Sequence, residues 1–296
     1  MIKTDFHMHT NASADSLADM EDMIKQAVSL GFNEICITDH VDFLLVDDIR
    51  KWEVVGGAET SSLPDWANIL EDGETCELIL VPFDEYIANY RRLASFYESN
   101  ISVLMGCEIG LSSHCRDAIC GHAARYPFDF IIGSQHTADK YDIYCNRDAL
   151  FLGKTKREAY SAHLVEMLQN VRDFDCFDVL GHIDYIIRYG PYEDRRIHVY
   201  EFDDLLSAIF KTLVEKGKGI EVNTSGFRYG FGHAHPHIDI LRKYRETGGE
   251  IITIGSDAHM PGDVGKFLDE AAEMLREAGF KAYCTFKERK PAFIDL

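Results

Sequence analysis

The sequence predicts a single-domain α/β fold in which helices close or cover a parallel sheet. Short apolar runs rich in β-branched residues alternate with segments of helical period along the whole chain of 296 residues. Runs such as FDFIIG and EIITIG are apolar without alternation, which is typical of strands buried on both faces. No internal repeat or interdomain linker interrupts the pattern, so we expect one domain over residues 1–296.

The alternation assigns seven strands, an eighth candidate strand and six helices. The strands are expected at Ile2–Phe6, Glu34–Thr38, Ser102–Gly106, Phe128–Gly133, Phe177–Gly181, Gly219–Val222 and Glu250–Ile254, with Ala282–Phe286 as the eighth candidate. The helices are expected near residues 20–30, 84–98, 157–173, 201–216, 236–247 and 264–278. In the 201–216 segment, Phe202, Leu206 and Ile209 fall on one apolar stripe, as in an amphipathic helix.

Residues 41–83 break this alternation. The segment contains Gly-Gly, Ser-Ser, an internal Pro and many acidic residues, which is typical of a long insertion over one end of a domain. A lid, an interface element and a surface loop without a role are all compatible with this composition.

The charge balance restricts the partners. The chain has 30 Lys and Arg against 50 Asp and Glu, a formal net charge of −20, which argues against long nucleic acid as the main partner. No apolar run approaches the roughly 18 residues of a membrane span. The first ten residues lack the features of a secretory signal, and the eight cysteines contain no CxxC pair, so we expect reduced thiols and a cytoplasmic protein of unknown oligomeric state.

Potential metal ligands follow the predicted strands. The strand ends read Asp5-Phe6-His7-Met8-His9, Thr38-Asp39-His40, Gly106-Cys107-Glu108, Gly133-Ser134-Gln135-His136, Gly181-His182-Ile183-Asp184, Glu221-Val222-Asn223 and Gly255-Ser256-Asp257-Ala258-His259. The carboxyl ends of strands in a parallel barrel meet at one face, so these side chains would converge there. Imidazole and carboxylate together suit Zn, Mn or Fe, and bridging carboxylates suit clusters of ions.

These strand-end motifs closely resemble those of the PHP family, named for polymerase and histidinol phosphatase domains. The matching residues run in order from residue 2 to about 280, and the stretches HIDYIIRY and EVNTSGFR most resemble the histidinol-phosphate phosphatase branch. The resemblance implies a distorted TIM-like (β/α)7 barrel that holds two or three divalent ions.

The resemblance also implies three sets of metal ligands. The first set is His7, His9, Glu108 and Asp257; the second is Glu108, His136 and His182, sharing the Glu108 carboxylate; the third is Asp15, His40 and His259. Many relatives carry His at the position of Asp15, but Asp is an acceptable ligand for a hard cation.

Two arginines are candidates for binding a phosphate group. Arg188 and Arg228 each follow a strand-end motif, and guanidinium matches phosphate in a bidentate manner. A leaving alcohol needs a proton, which Asp15, His259 or a metal-bound water could supply.

Orienting partners of the ligands are expected at Asp39, Asp184 and Asn223.

The run His233-Ala234-His235-Pro236-His237 needs a separate interpretation. Pro at a first helical turn suggests a loop-to-helix junction at residue 236, with His235 as a candidate for contacting the substrate.

The resulting hypothesis is a metal-dependent phosphatase that uses a metal-bridging hydroxide. The resemblance implies L-histidinol phosphate as its substrate, in histidine biosynthesis. A PHP phosphoesterase for a nucleotide phosphate or an oligonucleotide end is the alternative enzyme, and a non-catalytic metal-binding module is the alternative of another class. The sequence contains no P-loop, dinucleotide-binding or serine-hydrolase motif.

Overall fold

A computed structural model describes residues 1–49, 75–78 and 83–296. Within these ranges, seven parallel strands lie side by side in chain order and form the wall of a barrel. They are Thr4–Asp5, Glu34–Ile37, Ser102–Gly110, Phe130–Ser134, Val179–Leu180, Gly219–Asn223 and Ile252–Gly255.

The first and last strands close the barrel through backbone hydrogen bonds. Phe6 N donates to Ile254 O over 3.2 Å, and Asp257 N donates to His7 O over 2.7 Å. The fold is therefore the distorted (β/α)7 barrel expected from the sequence, with all seven carboxyl ends at one mouth.

Helices cover the outside of the barrel and bury one face against the strands. The longer ones are Met20–Ser29, Phe83–Tyr97, Arg116–Arg125, Lys156–Asp173, Val199–Glu215, Ile238–Glu246 and Leu268–Glu277. Short α-helices are Val46–Ile49, Arg147–Phe151 and Ser225–Arg228, and 3₁₀ turns are Ser113–Cys115, Tyr185–Arg188 and Pro261–Asp263. No helix in the described ranges is both long and apolar enough to cross a membrane.

Local sequence signals set several helix starts. Thr155 and Glu158 form a reciprocal capping box ahead of Lys156–Asp173, and the Asp19 side chain accepts a hydrogen bond from Glu21 N at the start of Met20–Ser29. The helix expected from residue 236 instead begins at Ile238, since His237 provides its N-cap. The helix Arg116–Arg125 was not predicted from the sequence, because its apolar periodicity is weak.

The start of the 41–83 segment belongs to the barrel mouth. His40–Leu45 is a strand that pairs in parallel with Ser102–Gly110 and antiparallel with Thr75–Leu78. The predicted insertion at about 41–83 therefore starts with residues that pair with the barrel wall. The prediction of a lid or interface element falls mainly on residues 50–74 and 79–82, outside the described ranges.

The eighth candidate strand lies outside the parallel wall. Ala282–Lys287 pairs antiparallel with Lys290–Asp295 as a C-terminal hairpin. From this hairpin, Cys284 and Phe286 enter a buried apolar cluster formed by the barrel strands. The Phe286 ring centroid lies 5.0 Å from that of Phe130, so the hairpin seals the apolar interior of the barrel.

Replacing Phe286 with Ala should destabilise the fold by about 3 kcal/mol, because it opens a cavity in this cluster. Chemical denaturation would measure the loss. The matched control is Phe293→Ala in the same hairpin, where the side chain is 56% exposed and little change is expected. Equal effects of the two substitutions would contradict this packing role.

Candidate metal centre

All nine predicted metal ligands lie at the barrel mouth, around one buried carboxylate. Glu108 sits near the end of the central strand Ser102–Gly110 and is 1% exposed. Its neighbours come from the ends of other strands because parallel strands deliver their carboxyl ends to one place. The predicted ligands are His7, His9, Asp15, His40, Glu108, His136, His182, Asp257 and His259.

The two oxygens of Glu108 face different groups of imidazoles. Oε2 lies 3.1 Å from His7 Nε2 and 3.4 Å from His9 Nε2. Oε1 lies 3.2 Å from His136 Nε2 and 2.7 Å from His182 Nε2. A carboxylate with ligand groups on both sides can bridge two cations, as the first two predicted sets require.

Hydrogen bonds to the opposite ring nitrogens fix which atoms face the centre. His7 Nδ1 bonds to the buried carboxylate of Glu221. His136 Nδ1 lies 2.9 Å from Asp42 Oδ1. Each ring therefore directs its Nε2 atom inwards, the arrangement in which a deprotonated histidine binds a metal while its other nitrogen donates to an outer acceptor.

His9 is oriented by a chain of two hydrogen bonds. Ser13 Oγ donates to Asp39 Oδ1 over 2.7 Å, so its oxygen accepts from His9 Nδ1 at 3.1 Å. His9 Nε2 can then accept a hydrogen bond. It lies 3.0 Å from His7 Nε2, so one proton can bridge the two rings where a bound cation would contact both nitrogens.

A third group lies at the outer edge of the centre. Asp15 Oδ2 is 3.1 Å from His259 Nε2 and 3.5 Å from His40 Nε2. His259 Nδ1 donates to Asp257 O over 3.0 Å, and its Nε2 faces the carboxylate of Asp15. The potential ligand atoms of His9, His40 and His259 also lie within 4.8 Å of one another, which adds His9 to the predicted third set.

His40 is also closer to the second set than predicted. It forms a compact group with Glu108 and His136, and its Nδ1 lies 3.1 Å from Glu108 Oε2. The three predicted sets are therefore parts of one continuous cluster, whose division among ions stays a prediction.

Close packing keeps the partners in place. A Cβ added to Gly110 would collide with the Asp42 carboxylate, and one added to Gly255 would collide with His7 and Glu221. Asp257 adopts a positive φ of 55°, an unusual conformation for a residue with a side chain. Arg228 supports this turn, because its Nη atoms donate to Ser256 O and Asp257 O, each over 2.6 Å.

Carboxylates and imidazoles in this cluster strongly shift one another's pKa values. Burial acts to lower the pKa of His7, but Glu221, Glu108 and Asp257 together raise it well above its ordinary value. Burial likewise acts against protonation of His136, whose pKa Asp42 and Glu108 raise to about 10. Without a metal, protons on these rings balance the buried carboxylates.

A cavity of about 380 Å³ opens onto the centre. Arg188 and Arg228 line it, as expected, together with Asp263. Four tyrosines form the rest of its wall, namely Tyr144, Tyr185, Tyr189 and Tyr229.

The predicted orienting residues are all buried beside the cluster. Asp39 accepts a hydrogen bond from Ser13 Oγ, and Asp184 accepts one from His235 Nδ1 over 2.6 Å. The Asn223 amide nitrogen lies 3.3 Å from the Glu221 carboxylate. His235, predicted to contact substrate, is fully buried and does not line the cavity. It lies behind Arg188, whose Nε donates to its Nε2.

Two orienting residues were not assigned from the sequence: Asp42, and Glu221, which was named only as part of a strand-end motif. A glutamate within the apolar strand Gly219–Asn223 was a detectable signal, because carboxylates are rarely buried without a partner. Asp42 offered no comparable signal, since it was grouped with the acidic insertion.

Zinc binding at pH 7 should release protons, because a ring must lose its proton before Nε2 can bind the metal. The raised pKa values of His7 and His136 mean that these rings carry protons at pH 7 without metal. Apparent zinc affinity should therefore fall as pH is lowered. Calorimetric titrations in buffers of different ionisation enthalpy would count the protons.

His114→Ala, which removes an exposed histidine outside the cluster, should leave that proton count unchanged. Zinc binding without proton release at pH 7 would contradict the charge balance described above.

Comparison with known proteins agrees with this architecture. The PHP domain profile matches residues 5–225. Histidinol-phosphatase of Lactococcus lactis is 29% identical over 290 residues, covering 98% of this chain and 96% of the relative. A protein of Clostridium acetobutylicum described as a probable histidinol-phosphatase is 28% identical, covering 94% of both chains.

A solved structure extends the similarity to three dimensions. The Lactococcus lactis histidinol phosphate phosphatase, complexed with zinc, L-histidinol and phosphate, superimposes with a TM-score of 0.79. Its sequence is 28% identical, and the match covers 98% of each chain. The profile match, the barrel and the ordered strand-end motifs lead to one conclusion: the chain belongs to the PHP domain family.

Proposed function

We propose that this protein is a metal-dependent phosphatase that hydrolyses L-histidinol phosphate to L-histidinol and phosphate in histidine biosynthesis. The observation that carries the proposal is the placement of Arg188 and the Glu108-centred cluster on the wall of one cavity. The similar Lactococcus lactis enzyme, whose structure contains zinc, L-histidinol and phosphate, supports the choice of substrate.

The cluster suits a set of two or three divalent cations. Its buried carboxylates and inward-facing Nε2 atoms are the ligands that zinc, manganese and iron accept. We propose all nine residues named above as the ligands. Bound cations would supply Lewis-acid and water-activating chemistry for attack on phosphorus.

Arg188 would hold the phosphate against the cluster. Its side chain is 8% exposed, and its Nη2 lies 3.2 Å from Asp257 Oδ2. A guanidinium fixed beside the metal ligands would stabilise the negative charge that develops on the phosphoryl oxygens in the transition state. Arg228 lines the same cavity, but both of its terminal nitrogens donate to backbone carbonyls, so we assign it a smaller part in binding.

The remainder of the cavity suits a small cationic alcohol with an aromatic ring. Tyrosine rings can stack on the aromatic ring of a ligand, and their hydroxyls can accept hydrogen bonds from its cationic groups. Asp15 and His259 line the cavity too, and we propose them as the proton source for the leaving alcohol where the third set holds no cation.

The biological setting follows from the same proposal. We propose one catalytic domain over residues 1–296, with the insertion within about 41–83, working in the cytoplasm. The formal charge of −20 supports a small phosphate ester over long nucleic acid.

A phosphate-release assay tests the substrate directly. Zinc- or manganese-loaded protein should hydrolyse L-histidinol phosphate at a kcat/KM at least about tenfold above those for sugar and nucleotide phosphates, since the tyrosine wall contacts the alcohol part. Higher activity on a nucleotide phosphate would favour the alternative PHP phosphoesterase, and no turnover of any ester would favour a non-catalytic module.

Replacing His9 with Ala should lower kcat by about a hundredfold or more, because it removes a ligand group from two parts of the cluster. The same assay measures the effect, with metal content determined on the same sample. His114→Ala serves as the control with an unchanged rate. A fully active His9→Ala variant would rule out the proposed centre.

Replacing Arg188 with Ala should raise KM and lower kcat for L-histidinol phosphate, because both ground state and transition state lose a phosphate contact. Steady-state kinetics at fixed metal content measures both constants. Lys25→Ala changes an exposed cation outside the cavity and should alter neither. Unchanged kinetics of Arg188→Ala would remove this residue from the phosphate site.

A further inference from the structure

The histidine-rich segment 233–237 has no part in the metal cluster, yet it places one side chain in the interior. His235 pairs with the last residue of the strand Gly219–Asn223 through two backbone hydrogen bonds of 2.7 Å to Asn223. This pairing fixes the backbone of His235 beneath the cavity wall. The side chain is completely buried.

The imidazole of His235 lies between an acid and an arginine. Its Nδ1 is 2.6 Å from Asp184 Oδ1, and Arg188 Nε donates to its Nε2 over 3.3 Å. Arginine can only donate, so Nε2 must be the acceptor and Nδ1 must carry the proton given to Asp184. The two contacts therefore select a single neutral tautomer.

The other sides of the Arg188 guanidinium are also occupied. Its carbon lies 4.8 Å from the ring centroid of Tyr185 and 4.4 Å from that of Tyr229, one contact to each ring. Nη2 donates to Ser225 Oγ over 2.6 Å and to Asp257 Oδ2 over 3.2 Å. Among the described residues, Nη1 is the guanidinium nitrogen with no hydrogen bond to protein.

We propose that His235 is a positioning residue that turns Arg188 towards the phosphate of the substrate. By accepting from Nε, it fixes rotation about the end of the arginine side chain and leaves Nη1 for the cavity. Asp184 holds the imidazole in the tautomer that can accept. This inference rests on the proposed function, in which Arg188 binds phosphate.

The neighbouring histidines of the segment make different contacts. His233 Nδ1 bonds to Ala234 O within its own loop, and His237 Nδ1 accepts from Asp239 N at the start of a helix.

Burial lowers the pKa of His235, Asp184 raises it and Arg188 lowers it further. The net effect is a lowered pKa, which keeps the ring neutral.

Two substitutions separate the contacts of His235. His235→Asn retains a short amide that can donate to Asp184 but cannot reach Arg188. His235→Gln places an amide oxygen near the position of Nε2, where it can accept from Arg188. The matched control is His233→Ala in the same segment.

The experiment compares these variants as metal-loaded full-length proteins. It measures the Kd of inorganic phosphate by calorimetry, KM and kcat for L-histidinol phosphate, metal content, and thermal stability. His235→Asn should raise the phosphate Kd and KM by about tenfold, the cost of losing one hydrogen bond to a charged group, with a smaller fall in kcat. His235→Gln should recover most of the affinity, and His233→Ala should match the wild type.

A double-mutant cycle provides the decisive comparison. Adding His235→Asn to Arg188→Ala should change the phosphate Kd by less than about twofold, because the arginine through which His235 acts is gone. The same tenfold loss in both backgrounds, or no loss in His235→Asn alone, would overturn the proposal. If the wild type binds phosphate but does not hydrolyse histidinol phosphate, the proposed substrate is wrong and the phosphate affinities alone decide the role of His235.

Discussion

The structure depends on a carboxylate that is buried where its charge must be balanced. Glu108 is 1% exposed and is surrounded by the imidazoles of several strand ends. An isolated buried carboxylate would be very unfavourable, so its neighbours must provide positive charge as protons or as cations. The hydrogen bonds of His7, His9 and His136 to outer acceptors keep their Nε2 atoms facing inwards, where a cation can replace the proton.

The barrel explains how such a cluster can be held. Parallel strands bring ligands separated by about 250 positions in the sequence to one mouth, and backbone bonds between the first and last strands fix His7 relative to Asp257. At the opposite side of the fold, the C-terminal hairpin fills the interior with Phe286 and Cys284. The polar residues of the site therefore lie at one end of the barrel and the apolar core fills the rest. Substitutions at the mouth should mainly change activity, and those in the core should mainly change stability.

The sequence predicted which side chains converge at the barrel mouth, because most of their positions follow from strand ends. Their assignment as metal ligands came from the resemblance to the PHP family and stays a prediction. His7, Glu108 and His182 needed no knowledge of side-chain packing, only the rule that parallel strands share a carboxyl-terminal face. The orienting residue Asp42 was not predictable in this way, since its role depends on a strand that begins inside an apparently irregular acidic segment. The position of His235 depends on a long-range pairing with Asn223, which no local pattern reveals.

We propose that the Glu108 carboxylate would bridge the bound cations. A crystal structure of zinc-soaked protein, with anomalous data collected on both sides of the zinc absorption edge, is the sharpest test. Separate zinc peaks are expected on the Oε1 and Oε2 sides of Glu108, one beside His136 and His182 and the other beside His7 and His9. Zinc bound elsewhere, with no peak beside either oxygen of Glu108, would contradict it.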